Sequence, residues 1–236
     1  MPNLTSTPGD QSSAEPRRVG RPPRISREAI IDAVLDLGLD GVTTSAVAAR
    51  LGVDQSTLYG HVKNREDMLD AAADAAIGRS SWPQPGAGTW REHLLACADA
   101  LWELFSTTPG LAVHLRTMTS VPPALTVRAA ATIRHLIGYG FEMPLAALAV
   151  DTIGDIVADS YLIGESLHAD PPAGAPSVRK RVEASLDDAA ELVGDIGAAY
   201  AAIVKDAIGT PDRPSTWWRE KVLLVLDGIG ARMAAP

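Results

Sequence analysis

The sequence has a single cysteine, Cys97, and no apolar run of the length that a membrane span requires. One thiol cannot form a disulfide within the chain. A membrane-spanning helix needs about 20 consecutive apolar residues, whereas the longest apolar runs here are short stretches such as 145–150 and 222–226. The first residues also lack the apolar segment of a signal peptide. We therefore expect a cytoplasmic protein that does not cross or bind a membrane.

The motifs of several enzyme classes are missing as well. The chain has no glycine-rich phosphate-binding loop and no cysteine or histidine spacing typical of zinc ligands. Cys97 lies in an apolar helical run, with His93 one turn earlier, and this setting favours buried packing over nucleophilic chemistry. The sequence therefore predicts a protein that is not an enzyme and that carries no cofactor and no metal.

Positive charge is scarce overall but concentrated near one end. The 236 residues include 21 basic and 29 acidic side chains, a net charge of −8, which argues against a uniformly basic nucleic-acid binder. Residues 16–65 nevertheless carry eight basic and five acidic side chains, whereas 66–236 carry 13 and 22. Contact with a polyanion, if any, is therefore expected at the N-terminal end.

Strand-like alternation is also absent over any useful length, and apolar residues recur at helical spacing between proline and glycine breaks. An all-α fold is therefore predicted. The longer predicted helices cover 90–105, 124–137, 145–167, 178–204 and 217–233. Shorter helices at the N-terminal end are marked by capping residues at their starts and glycines at their ends: Ser26, Gly38, Thr43 or Thr44, Gly52, Asp54 and Asn64.

Two short predicted helices, 44–51 and 55–61, are joined by a glycine-containing turn and have the spacing of a helix-turn-helix. An ordinary helical hairpin is the alternative. In a helix-turn-helix the second helix lies in the major groove of DNA, where glutamine can pair with adenine and serine or threonine can contact bases or phosphates. Gln55, Ser56 and Thr57 would then face the DNA.

A proline-stiffened segment rich in arginine precedes the first helix. Arg17, Arg18, Arg21 and Arg24 flank Pro22 and Pro23, which disfavour a helix. An extended arm of this kind can lie in the minor groove next to the site that the helix-turn-helix reads. A solubilising tail is the alternative, and the neighbouring helix-turn-helix favours the role in DNA binding.

The run from Ile30 to Leu69, which contains GVTTSAVAARLGVDQSTLYGHVKNREDML, resembles the DNA-binding domain of the TetR family of bacterial transcriptional repressors. The resemblance implies contacts from the start of the second helix, the exposed face of the third and the start of the fourth. Ser56 and Gly60 depart from the tetracycline-repressor pattern, which has proline and tryptophan there, so a different operator sequence is expected. With the arm included, the predicted DNA-binding residues are Arg21, Arg24, Thr44, Ser45, Gln55, Ser56, Thr57, Tyr59, Gly60, His61, Lys63 and Arg65.

Residues 82–236 resemble, more weakly, the C-terminal domain of the tetracycline-repressor branch, which dimerises and holds an inducer. His114 matches a histidine that coordinates the drug-borne magnesium in those repressors. Ile163 and Ser81 stand where their other metal-binding residues are, so the resemblance implies a different inducer without an obligatory metal. His114 is either a ligand contact or a structural histidine.

Aromatic and acidic residues of the C-terminal part are candidates for the wall of a ligand cavity. Aromatic residues at helical spacing are also typical of a core, and the acidic stripe formed by Asp151, Asp155 and Asp159 is also typical of a solvated face or a dimer edge. The predicted ligand-binding residues are Trp102, Phe105, His114, Met118, Phe141, Asp155 and Asp159.

Together these patterns predict three segments: a flexible basic arm at 1–25, a three-helix helix-turn-helix domain at 26–72, and a ligand-binding and dimerisation domain at 73–236. The resemblance implies a homodimer joined through the helices near 145–167 and 217–233. The predicted function is repression at a pseudo-palindromic double-stranded DNA operator, relieved by a small-molecule effector. A DNA-binding regulator without small-ligand control is the alternative.

Overall fold

The computed structural model describes residues 25–84, 86, 88–210 and 213–234. This part of the chain contains eleven α-helices and one antiparallel pairing of two-residue strands, β1 (Gly209–Thr210) with β2 (Arg213–Pro214). The prediction of an all-α fold is therefore confirmed. The helices are α1 (Arg27–Leu37), α2 (Thr44–Leu51), α3 (Gln55–Leu58), α4 (Arg65–Arg79), α5 (Trp90–Thr107), α6 (Leu111–Thr117), α7 (Pro123–Gly138), α8 (Met143–His168), α9 (Val178–Val193), α10 (Asp195–Ile208) and α11 (Trp217–Ala234).

The N-terminal helices begin at the predicted caps. The side chains of Ser26, Thr43 and Asn64 each accept a hydrogen bond from the backbone N–H three residues later, which satisfies a donor that the first helical turn leaves open. Gly52 ends α2 in the left-handed conformation, with φ of 68°. Thr43, rather than Thr44, is the cap of α2.

The third helix is shorter than predicted. It ends at Leu58 instead of residue 61, because the N–H groups of Gly60 and His61 bond to carbonyls three residues back and tighten the chain into turns. Leu58 and Val62 are buried on either side of this turn. The buried pair fixes the short helix against the rest of the N-terminal domain.

The C-terminal half departs from the prediction at two places. The helix α6 was not expected between the predicted breaks at 109–110 and 124. The segment 178–204, predicted as one helix, is divided at Gly194, whose φ of 72° is outside the helical region. The resulting α9–α10 hairpin packs tightly at Gly197, yet α9 has no buried residue.

One apolar core runs through both predicted domains. It extends from Ile30 in α1 to Ile229 in α11 and includes Ala72 and Ala73, which are fully buried on either side of the predicted boundary. Because α4 continues across that boundary, the same helix serves both domains. The buried residues of α4 therefore pack in both predicted domains.

The loop between α1 and α2 packs directly on the loop before α6. The backbone N–H of Leu39 donates to the carbonyl of Pro109 at 2.8 Å. Gly110 has φ of 82°, and a Cβ built there would lie 2.3 Å from the backbone nitrogen of Asp40. Only glycine suits both this conformation and this approach, and α6 is thereby held against the N-terminal domain.

Within the described ranges, no helix is both long enough and apolar enough to cross a membrane.

Candidate nucleic-acid interface and effector cavity

The predicted recognition helix presents a connected polar surface. The Gln55 amide donates to Oγ1 of Thr44 at 2.6 Å, and its oxygen accepts from Oγ of Ser45 at 3.0 Å. Its nitrogen also lies 3.4 Å from the hydroxyl of Tyr59. The structure thus brings together four predicted DNA contacts from α2, α3 and the residue after α3 in one network, with Thr44 largely buried at 8% exposure. The network holds Gln55 and Tyr59 in defined positions on the outer surface.

The remaining predicted contacts within the described chain surround this network. Ser56, Thr57, Gly60, His61 and Lys63 are exposed. Arg65 is exposed too, but its Nε donates to the backbone carbonyl of Val42 at 2.7 Å and so ties α4 to the loop before α2. Arg21 and Arg24 lie outside the described residues.

A salt bridge that the sequence did not predict holds the turn that follows α3. Asp67 accepts two hydrogen bonds from the guanidinium of Arg27, at 2.8 and 3.2 Å, and a third from the backbone N–H of Lys63 at 2.7 Å. Arg27 also donates to the carbonyl of His61 at 2.8 Å. These contacts fasten the 61–63 turn to α1 and α4.

The hydrogen bonds from Arg27 and from the Lys63 backbone lower the pKa of Asp67 below its ordinary value, because they stabilise the carboxylate. A carboxyl group with a lowered pKa in the folded state stabilises the fold above its unfolded pKa, near 4. That contribution is lost as the pH falls through the folded pKa. The turn is therefore expected to loosen in acid.

Replacing Asp67 with asparagine is expected to lower the free energy of unfolding by about 1 kcal/mol at pH 7, because a charged acceptor of three hydrogen bonds is lost. The difference from the wild type should shrink as the pH falls below about 4. Urea unfolding between pH 7 and pH 3 measures both. Asp32→Asn, which breaks a more exposed salt bridge to Arg79, is the control and should cost less than about 0.5 kcal/mol. Equal losses for the two variants would contradict the assigned role of Asp67.

A cavity of about 780 Å³ lies between α5, α6, α7 and α8, and we call it the effector cavity. Most of its wall is apolar, and its charged groups are Arg116, Asp151 and Asp155. This combination of size, apolar lining and few polar groups is typical of small-molecule sites. The wall residues are Leu101, Phe105, Leu115, Arg116, Met118, Val121, Leu125, Thr126, Ala129, Ile133, Ala147, Leu148, Val150, Asp151, Gly154, Asp155 and Ala158.

Three of the seven predicted ligand-binding residues, Phe105, Met118 and Asp155, line the effector cavity. Asp159 does not line it but binds the wall residue Arg116 at 2.9 Å. Both acidic partners of Arg116, Asp155 and Asp159, remain more than half exposed. The acidic stripe is thus a rim that orients Arg116.

The other three predicted ligand-binding residues pack elsewhere. Trp102 stacks on Trp218 of α11, with ring centres 4.7 Å apart, and Phe141 is buried edge-on against Trp90. His114 turns toward α4, where its Nε2 lies 2.9 Å from Oδ1 of Asp70. None of the three is among the residues of the cavity wall, and the Asp70 contact favours the structural role for His114.

Helix α6 connects the cavity to the N-terminal domain. Its residues Leu115 and Arg116 form part of the cavity wall. The preceding residue, His114, contacts Asp70 on α4. Thr119, just after α6, donates to Glu66 in the first turn of α4 at 3.3 Å. The sequence gives no sign of Asp70 or Arg116 as partners, since each meets residues far away along the chain.

Two observations on the described part of the chain concern metal binding and nucleophilic chemistry. No group of three or more histidine, cysteine, aspartate or glutamate side chains is placed there to hold a metal ion. Burial raises the pKa of the Cys97 thiol to about 11, so the thiol stays protonated at neutral pH and is a poor nucleophile.

Comparison with known proteins agrees with this geometry. The family profile described as "Bacterial regulatory proteins, tetR family" matches residues 35–72. The class C tetracycline repressor of Escherichia coli is 31% identical over 154 residues, which cover 62% of this chain and 69% of that protein. The class D repressor of Escherichia coli is 33% identical over 146 residues, 59% of this chain and 66% of that protein.

Solved structures share the fold over most of the chain. Apo ActR from Streptomyces coelicolor superposes with a TM-score of 0.71, at 22% identity, over 90% of this chain and 99% of that one. A TetR variant from Acinetobacter baumannii AYE in complex with minocycline gives a TM-score of 0.52 at 25% identity, over 78% of this chain and 94% of that one.

The helix-turn-helix and the larger helical domain define a DNA-binding transcriptional regulator. The chain belongs to the TetR family of these regulators, as the resemblance of its N-terminal motif implied.

Proposed function

We propose that the protein is a homodimeric repressor that leaves its operator when a small molecule occupies the effector cavity. The observation that carries this proposal is the position of α6, which forms cavity wall on one side and contacts α4 through His114 and Asp70 on the other. A ligand that displaces α6 therefore changes the support of the helix that follows the recognition helix.

The DNA side of the proposal rests on the exposed surface of α2 and α3. Gln55, Ser56 and Thr57 would meet base edges, and Lys63 would contact a phosphate. Their neighbours in the interface are proposed to be Thr44, Ser45, Tyr59, Gly60, His61 and Arg65, with Arg21 and Arg24 in the minor groove. The acidic C-terminal half would be repelled by DNA, which confines contact to the N-terminal end.

The effector cavity would favour small, mainly apolar molecules with polar groups near one edge. Burying apolar ligand surface would supply affinity, and Arg116 with Asp151 and Asp155 would orient the polar groups. Among the structural relatives, ActR has been solved with actinorhodin and a TetR variant with minocycline. The effector of the present chain is proposed to differ from the tetracyclines and to need no metal, because the resemblance places Ser81 and Ile163 at two metal-binding positions of the tetracycline repressors.

Effector action is proposed to be a shift between two dimer states. The state that binds DNA presents two recognition helices at the spacing of adjacent major grooves. The effector would bind the other state more tightly and so increase its population. The loss of affinity for the operator would be limited by the ratio of the effector's affinities for the two states.

The dimer is proposed to form through α8 and α11, which expose apolar side chains on the surface of the protomer. Ile163 on α8 is 55% exposed and Leu224 on α11 is 72% exposed. Gly228, one turn after Leu224, has no atom within 4 Å of a Cβ built on it, so another helix can approach closely. Apolar side chains next to a small residue suit helix-to-helix packing between two protomers.

Replacing Leu224 with lysine is expected to convert the dimer to a monomer at micromolar concentration, because two charged side chains would be buried near the symmetry axis. Light scattering coupled to size-exclusion chromatography measures the mass. Leu192→Lys, at a more exposed leucine on α9, is the control and should remain dimeric. An unchanged mass for Leu224→Lys would exclude this interface.

The proposed function is tested with an operator selected in vitro by the purified chain and placed before a reporter gene. Screening small molecules should give compounds that raise expression with the wild-type chain. Ala129→Trp, which fills the effector cavity, should still repress but should respond at least about tenfold less, since the ligand is excluded. Ala189→Trp, at an exposed position on α9, is the matched control and should respond normally.

Two outcomes would contradict the proposal. The first is repression that no compound relieves, together with native mass spectra in which protein taken from its cells retains no small molecule. That result would favour control by abundance or by a partner. An equal response of Ala129→Trp and the wild type would place the effector outside the cavity.

A further inference from the structure

A second pocket, of about 410 Å³, lies on the opposite side of α7 from the effector cavity. It is bounded by α5, α7 and residues 82–84, which belong to the linker after α4. Residues 125, 126, 129 and 133 of α7 face the effector cavity, whereas 127, 128, 131, 132, 134 and 135 face this pocket. The helix α7 thus separates two spaces, and we call the second one the linker pocket.

The linker pocket is lined by two arginines and two histidines, and burial holds the pKa of His93 below its ordinary value. Arg128 and Arg134 line it together with His93 and His135, whose ring centres are 4.4 Å apart. No acidic residue is among the described residues that line it. A pocket with two guanidinium groups and no carboxylate of its own attracts an anion.

Two histidines of this pocket lack strong hydrogen-bond partners. The Nε2 atom of His135 is buried and has no partner within the described part of the chain. His93 is 8% exposed, and the nearest polar contact of its Nε2 is the Cys97 sulfur at 3.8 Å. Because Nε2 of His135 is closed to solvent, an anion in the pocket would meet the arginines rather than this nitrogen.

The side of the pocket next to the linker is aromatic. The indole of Trp82 lies there, with the Arg128 guanidinium 5.8 Å from its ring centre. A flat ligand can stack on the indole while its acidic group meets the two arginines. We propose that the linker pocket is a second binding site, which takes a small organic carboxylate with a flat apolar body.

Occupation of this site would act on α4 from the end opposite to α6. Arg128 donates to the carbonyls of Ser80 at 2.8 Å and of Gly78 at 3.2 Å, at the C-terminal end of α4. A carboxylate that draws Arg128 toward itself competes with these carbonyls. The site therefore reaches the DNA-binding half without using the effector cavity.

The test uses the full chain and two probes of the same shape, 2-naphthoate and the neutral 2-naphthamide, in isothermal titration calorimetry. The carboxylate is expected to bind at one site per chain and at least about tenfold more tightly than the amide, because only the carboxylate forms an ion pair with the guanidinium groups. Arg134→Gln should weaken 2-naphthoate binding about tenfold. Arg181→Gln, an exposed arginine on α9, is the matched control and should bind as the wild type does.

A second variant distinguishes the two spaces. Ala129→Trp fills the effector cavity and should leave 2-naphthoate binding unchanged, whatever its effect on gene regulation. Three results would overturn the proposal: equal affinity for the two probes, no binding of 2-naphthoate at millimolar concentration, or binding that Ala129→Trp abolishes and Arg134→Gln preserves. Arg134 is exposed on α7, so circular dichroism should show an intact fold in its variant.

Discussion

Replacing Gly110 with alanine is expected to lower the free energy of unfolding by about 3 kcal/mol or more. The new Cβ would lie 2.3 Å from the backbone nitrogen of Asp40 and 2.8 Å from its Cα, so backbone, and not a flexible side chain, would have to move. A left-handed conformation costs alanine about 1–2 kcal/mol in addition, and overpacking costs about 1–3 kcal/mol. Urea unfolding followed by circular dichroism measures the loss.

Gly41→Ala separates the two contributions to this loss. Gly41 also has a positive φ, of 66°, but nothing lies within 4 Å of a Cβ built there. It should therefore show the conformational cost alone, about 1 kcal/mol. If both variants lost the same stability, the contact between the two loops would contribute nothing and the attachment of α6 to the N-terminal domain would need another explanation.

Replacing Gln55 with alanine is expected to weaken binding to the selected operator about 10- to 100-fold, at constant salt. The substitution removes an amide that can pair with a base edge. It also releases Thr44, Ser45 and Tyr59 from the positions that this amide gives them. Fluorescence anisotropy with labelled operator DNA measures the affinity.

The controls for Gln55 distinguish lost contact from lost folding. Gln55 is exposed, so its truncation should change the free energy of unfolding by less than about 1 kcal/mol. Ser106→Ala, at an exposed serine on α5 that bonds only within its own helix, should bind the operator as the wild type does. If Gln55→Ala bound the operator with wild-type affinity, the proposed contact between α3 and the bases would be contradicted.

The sequence predicted the N-terminal domain well because its signals are local. Ser26, Thr43 and Asn64 cap helices through bonds that span three residues, and Gly52 ends a helix through its own φ. Such features depend on neighbours along the chain. The predicted end of α3 was wrong by three residues, because the turn at residues 59–61 is set by backbone hydrogen bonds that the side-chain pattern does not reveal.

The cavity was less predictable because distant residues decide which side chains reach it. Trp102 and Phe105 stand three residues apart on α5, but Trp218, far along the chain, stacks on Trp102 and holds it outside the effector cavity. His114 likewise meets Asp70 of α4. The salt bridge between Arg27 and Asp67 joins residues 40 positions apart, and no repeat or motif in the sequence indicated it.

The contact between the α1–α2 loop and Gly110 determines how the protein can be recombined with its relatives. A chimera joined at residues 72–73 would cut through α4 and pair a foreign loop with Gly110. A better design would transplant residues 38–42 and 108–110 together, so that the two loops that contact each other come from the same protein. The proposed operator specificity and effector response could then be exchanged between regulators while the contact between the two loops is kept.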